Sequence, residues 1–209
     1  MPHENQPVYF AGKKLEEATS AMILIHGRGA NAEDILSLSA HLTHPGLAYL
    51  APQAEDYTWY PNRFIFPVEK NEPYLSSALG VIDKLVKLIE ENKISSEKIF
   101  IGGFSQGACL ASEYVIRNPK KYGGLFVFSG GYIGALNQER ESQGDLQNTP
   151  VFIGCSDIDP HIPLQRVHET TKLLKSMNAK VTEKIYPDMG HTINDEEIAL
   201  ANEIIQKSL

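Results

Sequence analysis

The residues with the clearest chemical potential lie in the segment Gly103-Phe-Ser105-Gln-Gly107, a G-x-S-x-G pattern. The apolar run Ile99-Phe-Ile101 before it is typical of a buried strand, and the residues after it have helical spacing. A serine at such a sharp strand-to-helix turn takes a strained backbone conformation, which flanking glycines accommodate. Its hydroxyl then stands at the carboxyl edge of the sheet. The pattern therefore predicts that Ser105 is a nucleophile.

A serine hydroxyl needs a base within hydrogen-bonding reach, and the base needs a partner that orients it. His191 follows the last predicted strand, and two acids, Asp157 and Asp159, follow the strand before it. Chains with this serine turn place the acid next and the histidine last, all at one edge of the sheet. We therefore expect His191 to be the base. Spacing barely separates the two acids, since Asp157 could instead cap the turn with its own side chain.

Two backbone N–H groups are candidates for stabilising an oxyanion. Gln106 begins the predicted helix, whose positive dipole end faces the serine. The glycine-containing loop Leu24-Ile-His26-Gly27-Arg28-Gly29 follows an earlier strand and offers the N–H of Arg28 as the second donor. We interpret His26 as a buried structural histidine, because His191 already fills the place of the base. For the Arg28 side chain, a solvated surface role and contact with an acidic substrate are both open.

The elements that must position these residues follow from hydrophobic patterning. Short apolar runs alternate with helix-period segments, which predicts an α/β fold with a mostly parallel central sheet and helices on both faces. The best helical stripe contains Leu75, Ile82 and Ile89, with Asn71 and Pro73 suited to its cap and first turn. Buried strands are predicted at 22–25, 47–50, 99–101, 125–128 and 151–153, and edge strands at 181–186 and, antiparallel, at 8–10.

An aromatic segment, residues 53–72, fits neither the helix nor the strand period. We predict that its aromatic side chains line an acyl or aryl pocket, together with a residue that follows the acids. The alternative is a hydrophobic flap that closes the edge of the core. The predicted substrate-binding residues are Trp59, Tyr60, Phe64, Phe66 and Ile162.

Composition limits the class of protein and its partners. The chain has 209 residues and a formal net charge of -7, which indicates one domain, 1–209, with loop insertions at about 53–72 and 130–149. An acidic chain without a dense Lys/Arg stripe is a poor match for nucleic acid. No apolar run approaches the roughly 18 residues of a membrane span, and the first residues do not resemble a signal peptide, so we expect a cytoplasmic protein. Cys109 and Cys155 are predicted to be core thiols, and no metal or cofactor is expected.

Together these segments resemble the phospholipase/carboxylesterase family of the α/β-hydrolases, which includes bacterial carboxylesterases and acyl-protein thioesterases. The family's acid precedes a Pro-x-x-Pro pattern, a position that only Asp159 occupies here, so the resemblance favours Asp159 over Asp157. It also implies a three-layer α/β-hydrolase fold and an oxyanion hole formed by the Arg28 and Gln106 amides. The matching segments are Leu24-Ile-His-Gly-Arg-Gly-Ala, Trp59-Tyr-Pro, Gly103-Phe-Ser-Gln-Gly-Ala, Gly154-Cys-Ser-Asp-Ile-Asp-Pro-His-Ile-Pro and Tyr186-Pro-Asp-Met-Gly-His.

The resemblance implies a serine carboxylic-ester hydrolase that forms an acyl-enzyme on small-molecule esters or thioesters, and it is compatible with a homodimer. Acyl-protein thioesterases look apolar at the position of Arg28, which favours small to medium acyl or aryl esters over long lipid tails. The alternative activity is that of an acyl-protein thioesterase or lysophospholipase. A non-catalytic binding protein of the same fold is a further alternative, but such a protein should have lost members of the triad or the elbow glycines.

Overall fold

The computed structural model describes residues 1–136, 138 and 140–209, and within them seven strands form one sheet in the order β1-β3-β2-β4-β5-β6-β7. Neighbouring strands pair in parallel, except that β1 is antiparallel to β3. The predicted parallel sheet, with an antiparallel edge strand at its start, is therefore confirmed. The strands are β1 Val8–Gly12, β2 Ser20–Ile25, β3 Leu47–Pro52, β4 Ile99–Phe104, β5 Gly124–Phe128, β6 Pro150–Ser156 and β7 Lys180–Tyr186.

Helices cover both faces of this sheet. Helices α2, α3 and α4 pack on one face, and α1 and α5 pack on the other, which gives the three layers that were predicted. The segment after β2 forms only a short α-helix, which is followed by a 3-10 turn at Ser37–Ala40. The helices are α1 Ala32–Leu36, α2 Tyr74–Glu91, α3 Gln106–Arg117, α4 Leu164–Ser176 and α5 Asp195–Ser208.

The strands build two different cores because successive side chains point to opposite faces of the sheet. Aliphatic residues such as Ile23, Ile101 and Val127 face α2, α3 and α4. Aromatic residues face α1 and α5 instead, and the rings of Phe100 and Phe126 stack with centroids 5.9 Å apart. Burying a side chain of this size stabilises the fold by about 1.5–3 kcal/mol. Packing on both faces therefore holds the strands in place, and with them the carboxyl edge of the sheet.

Helix α2 begins differently from the sequence expectation. Pro73 is its N-cap, and the Glu72 carboxylate accepts a hydrogen bond from the Ser76 N–H at 3.0 Å. Asn71 was predicted to be the cap, which is wrong. Its buried amide oxygen instead accepts a hydrogen bond from the Asn62 N–H at 2.8 Å, so Asn71 fastens the aromatic segment.

Both cysteines are free and buried, which confirms that they are core thiols. Burial raises the pKa of Cys109 and of Cys155 to about 12, so neither forms a thiolate near neutral pH. None of the helices in the described ranges combines the length and the apolar character that crossing a membrane requires.

Candidate active site

Ser105 occupies the turn between β4 and α3 with a strained backbone, at φ 55° and ψ -118°. Its N–H donates to the Phe128 carbonyl at 3.0 Å, which fixes the turn against β5. The flanking glycines are required by close packing. A Cβ atom on Gly103 would lie 2.6 Å from the backbone of Gly107, and one on Gly107 would overlap the Ile25 carbonyl. Non-glycine residues rarely hold a positive φ, and such strain is concentrated at functional sites.

His191 and Asp159 form a hydrogen-bonded pair, with 2.7 Å between Nδ1 and Oδ2. The Asp159 side chain is fully buried, and its other oxygen accepts the N–H groups of His161 and Ile162 at 2.8 and 3.0 Å. Burial by itself would raise the pKa of Asp159, but the hydrogen bonds from His191 and the two amides outweigh it and lower that pKa. Asp159 is therefore ionised at neutral pH, which keeps the proton on Nδ1 and leaves Nε2 free to act as a base.

Two rings hold the imidazole of His191 in place. The Phe104 ring lies 4.7 Å from it, and the His161 ring meets it edge-on at 4.8 Å, both measured between centroids. Phe104 is the last residue of β4 and immediately precedes Ser105, so this strand positions both Ser105 and the His191 ring. The orientation of the His191 ring therefore depends on packing as well as on Asp159.

Asp157 makes different contacts from Asp159. Its carboxylate accepts a hydrogen bond from the Asp188 N–H at 3.0 Å, and its own N–H donates to the Tyr186 carbonyl at 3.1 Å. It thus ties the end of β6 to the loop that carries His191. The structure brings Asp159 and not Asp157 to the histidine, a choice that spacing had left open.

The loop after β2 passes close to Ser105. A Cβ atom on Gly27 would lie 3.4 Å from the Ser105 Cβ, and the Gly29 N–H donates to the Tyr57 carbonyl at 2.8 Å. Gln106 is the first residue of α3, so its backbone N–H has no hydrogen-bond partner within the helix. The residues of both predicted oxyanion donors, Arg28 and Gln106, line the same cavity as Ser105.

The cavity at this edge has a volume of about 520 Å³ and contains both Ser105 and His191 in its wall. Of the predicted substrate-binding residues, Tyr60, Phe64 and Ile162 also line it. These three side chains contribute apolar surface to the cavity wall. A strained serine, a histidine–carboxylate pair and two backbone amides can together perform acyl transfer.

A sequence profile of the phospholipase/carboxylesterase family matches residues 10–209. The chain belongs to this family. Among solved structures, a phospholipase/carboxylesterase from Dyadobacter fermentans is 42% identical, with a TM-score of 0.92 over 97% of both chains. The carboxylesterase of Bacillus cereus, 20% identical with a TM-score of 0.76 over 99% of this chain and 96% of its own, shares the fold.

Curated relatives in the same family include acyl-protein thioesterases. Acyl-protein thioesterase 1 of Saccharomyces cerevisiae is 32% identical over 177 residues, which cover 81% of this chain and 74% of that protein. The protein of the same name from Kluyveromyces lactis is 32% identical over 139 residues, 65% of this chain but only 60% of its own length. The predicted family and α/β-hydrolase fold are thus confirmed, and the chain is a hydrolase of the carboxylesterase family.

Two aromatic residues that were predicted to bind substrate lie elsewhere in this carboxylesterase-family chain. Trp59 is fully buried, with its indole N–H donating to the His26 carbonyl at 2.9 Å, and it does not line the cavity. Phe66 is 42% exposed and also lies outside the cavity wall. Neither residue lines the cavity as predicted, because the Trp59 indole finds its hydrogen-bond partner in the core and Phe66 remains at the surface. The aromatic segment is therefore part pocket wall and part hydrophobic flap.

His26 connects the loop after β2 to the start of the aromatic segment. Its Nδ1 donates to the Gly27 carbonyl at 2.7 Å, and its Nε2 accepts the Ala54 N–H at 3.1 Å. Burial lowers the pKa of His26, which favours the neutral ring that both hydrogen bonds require. These contacts agree with the interpretation of His26 as a structural histidine.

The side chain of Gln106 has a role that sequence reasoning missed. Its Oε1 accepts the Trp59 N–H at 2.9 Å, and its Nε2 donates to the Tyr60 carbonyl at 2.9 Å. The side chain is buried and satisfied by the aromatic segment. No local sequence signal pointed to this contact, because the partners lie about 47 positions away.

The Arg28 side chain also contacts the aromatic segment. Its guanidinium donates to the carbonyls of Tyr60, Pro61 and Asn62 at 2.8, 3.1 and 2.9 Å. This structural role was not one of the two that the sequence left open. Three carbonyls converging on one planar group fix the backbone of the pocket wall.

Proposed function

We propose that this protein is a serine carboxylesterase in which Ser105 is the nucleophile, His191 the general base and acid, and Asp159 the residue that orients His191. The observation that carries the proposal is the Asp159–His191 pair, 2.7 Å between Oδ2 and Nδ1, on a histidine that shares one cavity with the strained Ser105. Chain order and geometry agree on this assignment.

The reaction follows from these groups. Nε2 of His191 takes the Ser105 proton as Oγ attacks the ester carbonyl, and the oxyanion of the tetrahedral intermediate is stabilised by the Arg28 and Gln106 amides. The imidazolium then protonates the departing alcohol, which leaves an acyl-enzyme. Water, deprotonated by His191, attacks the acyl group, and the collapse of the second intermediate releases the carboxylic acid and returns the proton to Ser105.

The proposed substrates are esters with small to medium acyl or aryl groups. A cavity of about 520 Å³ with Tyr60, Phe64 and Ile162 in its wall supports a group of this size. Thioesters are the second candidate, because relatives in the family are named acyl-protein thioesterase 1. A thiolate leaving group would use the same acyl-enzyme steps.

The deciding experiment is covalent labelling with a neutral fluorophosphonate, followed by mass spectrometry of the adduct. We expect one adduct, on Ser105, and loss of ester turnover in Ser105→Ala with an unchanged melting temperature. Absence of labelling at Ser105, or full turnover by Ser105→Ala, would contradict the proposal. A series of 4-nitrophenyl esters of increasing acyl length then tests the size of the pocket, and strong preference for long chains would contradict the proposed substrate size.

A further inference from the structure

The cavity is basic although the chain as a whole is acidic. The formal net charge is -7, yet within the described residues no Asp or Glu lines the cavity that contains Ser105. Its lining includes the arginines Arg28 and Arg63 and the histidines His161 and His191. The ionised Asp159 adds one negative charge behind His191, but its carboxylate does not line the cavity, so the two arginines leave the wall itself with an excess of positive charge.

Arg28 contributes positive charge but few free donors. Its guanidinium is committed to the carbonyls of Tyr60, Pro61 and Asn62, which are neutral acceptors. Among the described residues no carboxylate forms an ion pair with it. Its charge therefore remains uncompensated beside the nucleophile and makes the potential of the cavity more positive.

Arg63 is the cation in the wall that retains free donors. It is exposed, and within the described part of the chain its side chain makes one hydrogen bond, from Nη2 to the His161 carbonyl at 3.3 Å, which is a long contact. Like Arg28, it has no ion-pair partner within the described residues. A guanidinium carries five N–H donors in a planar fork that matches a carboxylate in a bidentate manner.

We propose that Arg63 is a specificity-determining residue that binds a free carboxylate on the substrate, so that the site selects anionic esters or thioesters over neutral ones. The inference rests on the proposed esterase function and names its substrate class. The apolar side chains of Tyr60, Phe64 and Ile162 then contact the carbon chain between the reacting carbonyl and that carboxylate. The free carboxylate belongs to the acyl part of a dicarboxylic monoester or to the alcohol part of a hydroxy-acid ester.

The competing explanation is that Arg63 is only a strap. Its bond to the His161 carbonyl joins the aromatic segment to the loop of Asp159, and a strap would affect all substrates alike. Selective loss of turnover on charged substrates therefore distinguishes recognition from support.

The test compares two pairs of matched esters at low and at high salt. The first pair is 4-nitrophenyl butyrate and mono-4-nitrophenyl glutarate, whose charge lies on the acyl side. The second is the butyrate ester of 4-hydroxybenzoic acid and that of its methyl ester, whose charge lies on the alcohol side. We expect kcat/KM to be about tenfold higher for the charged member of at least one pair, because a charge-assisted hydrogen bond contributes more than a neutral one. The preference should shrink in high salt.

Variants assign the preference to Arg63. Arg63→Gln should lose about tenfold in kcat/KM on the preferred anionic ester and stay within about twofold on its neutral partner, while Arg63→Lys retains part of the preference. Lys172→Gln, the same loss of charge at an exposed residue of α4 outside the cavity wall, is the control and should change neither.

Equal turnover of the charged and neutral members of both pairs, or an equal loss on both in Arg63→Gln, would overturn the proposal. With Ser105 labelled and neutral esters hydrolysed, that result leaves the esterase function standing. Failure of both labelling and turnover overturns the esterase function, and the anionic preference with it.

Discussion

The side-chain oxygen of Gln106 accepts a hydrogen bond from the backbone N–H of Trp59 at 2.9 Å. Gln106 also follows Ser105 and starts α3, so a single residue links the serine turn to the aromatic segment. Its Nε2 donates to the Tyr60 carbonyl, which places the pocket wall relative to Ser105. The position of the wall and the position of the nucleophile are therefore mechanically coupled.

The Gln106→Glu variant should break this coupling. The carboxylate has no donor for the Tyr60 carbonyl and would place a second oxygen against it in a buried site. We expect the free energy of unfolding to fall by about 2–3 kcal/mol and kcat/KM for 4-nitrophenyl butyrate to fall with it. Urea denaturation and steady-state kinetics measure both, with Gln143→Glu at an exposed position as the control. Stability equal to that of the parent would show that the side chain of Gln106 supports nothing.

The two aspartates should separate cleanly in kinetics. In Asp159→Asn the charge that stabilises the imidazolium is lost and the histidine tautomer is disturbed, so kcat should fall by about 10³–10⁴-fold. Asp157→Asn keeps an acceptor for the Asp188 N–H and should lower kcat by less than about threefold. Ester turnover and fluorophosphonate labelling rates provide the readout. The opposite ranking of the two variants would mean that Asp157 orients the base.

Arg28→Met should loosen the pocket wall without removing an oxyanion donor, because the backbone N–H remains. Losing three hydrogen bonds to the carbonyls of Tyr60, Pro61 and Asn62 should speed hydrogen exchange in residues 57–63 and raise KM more than it lowers kcat. Arg63→Gln removes the same charge but not this clamp, and its exchange in 57–63 should stay close to that of the parent. If exchange in this segment is equally fast in both variants, the clamp is not what orders it.

The contribution of Glu197 to stability should decrease as the pH rises from about 4.5 to 7. This carboxyl in α5 is fully buried. Burial, together with the negative charge of Glu196, raises its pKa to about 7. One oxygen accepts the Asn194 N–H at 2.8 Å, while the other has no hydrogen-bond partner among the described residues. The folded state thus holds a proton that the unfolded chain, with its ordinary pKa of 4.5, has already released.

Glu197→Gln should remove that part of the pH dependence. An uncharged amide still accepts from the Asn194 N–H, so the variant should gain up to about 3 kcal/mol over the parent at pH 8 and little at pH 4.5. Urea denaturation between pH 4.5 and 8 measures the difference, and Glu203→Gln, at a largely exposed carboxylate of the same helix, is the control. Parallel pH profiles for the parent and Glu197→Gln would contradict the assignment.

Much of the site could be predicted because its determinants are local. Apolar runs of strand length fixed where each strand ends, and chemistry-bearing residues at those ends, such as Ser105 and His191, had to meet at one edge of a parallel sheet. The glycines around Ser105 carry a similar local signal, since a strained turn that packs directly on β2 and β4 leaves no room for Cβ atoms. Sequence by itself thus determined the fold class, the family and the edge of the sheet at which the candidate active site lies.

The tertiary structure decided which side chains point into the cavity and which support it. Asp157 and Asp159 are equivalent in spacing, but only Asp159 reaches His191. The indole of Trp59 turned inward to the His26 carbonyl instead of joining Tyr60 at the pocket. The side chains of Arg28 and Gln106 bind backbone groups about 30 to 50 positions away. Such contacts depend on where distant segments come to lie once the sheet and its helices have packed. No pattern within one segment of the sequence shows which distant segment will lie beside it.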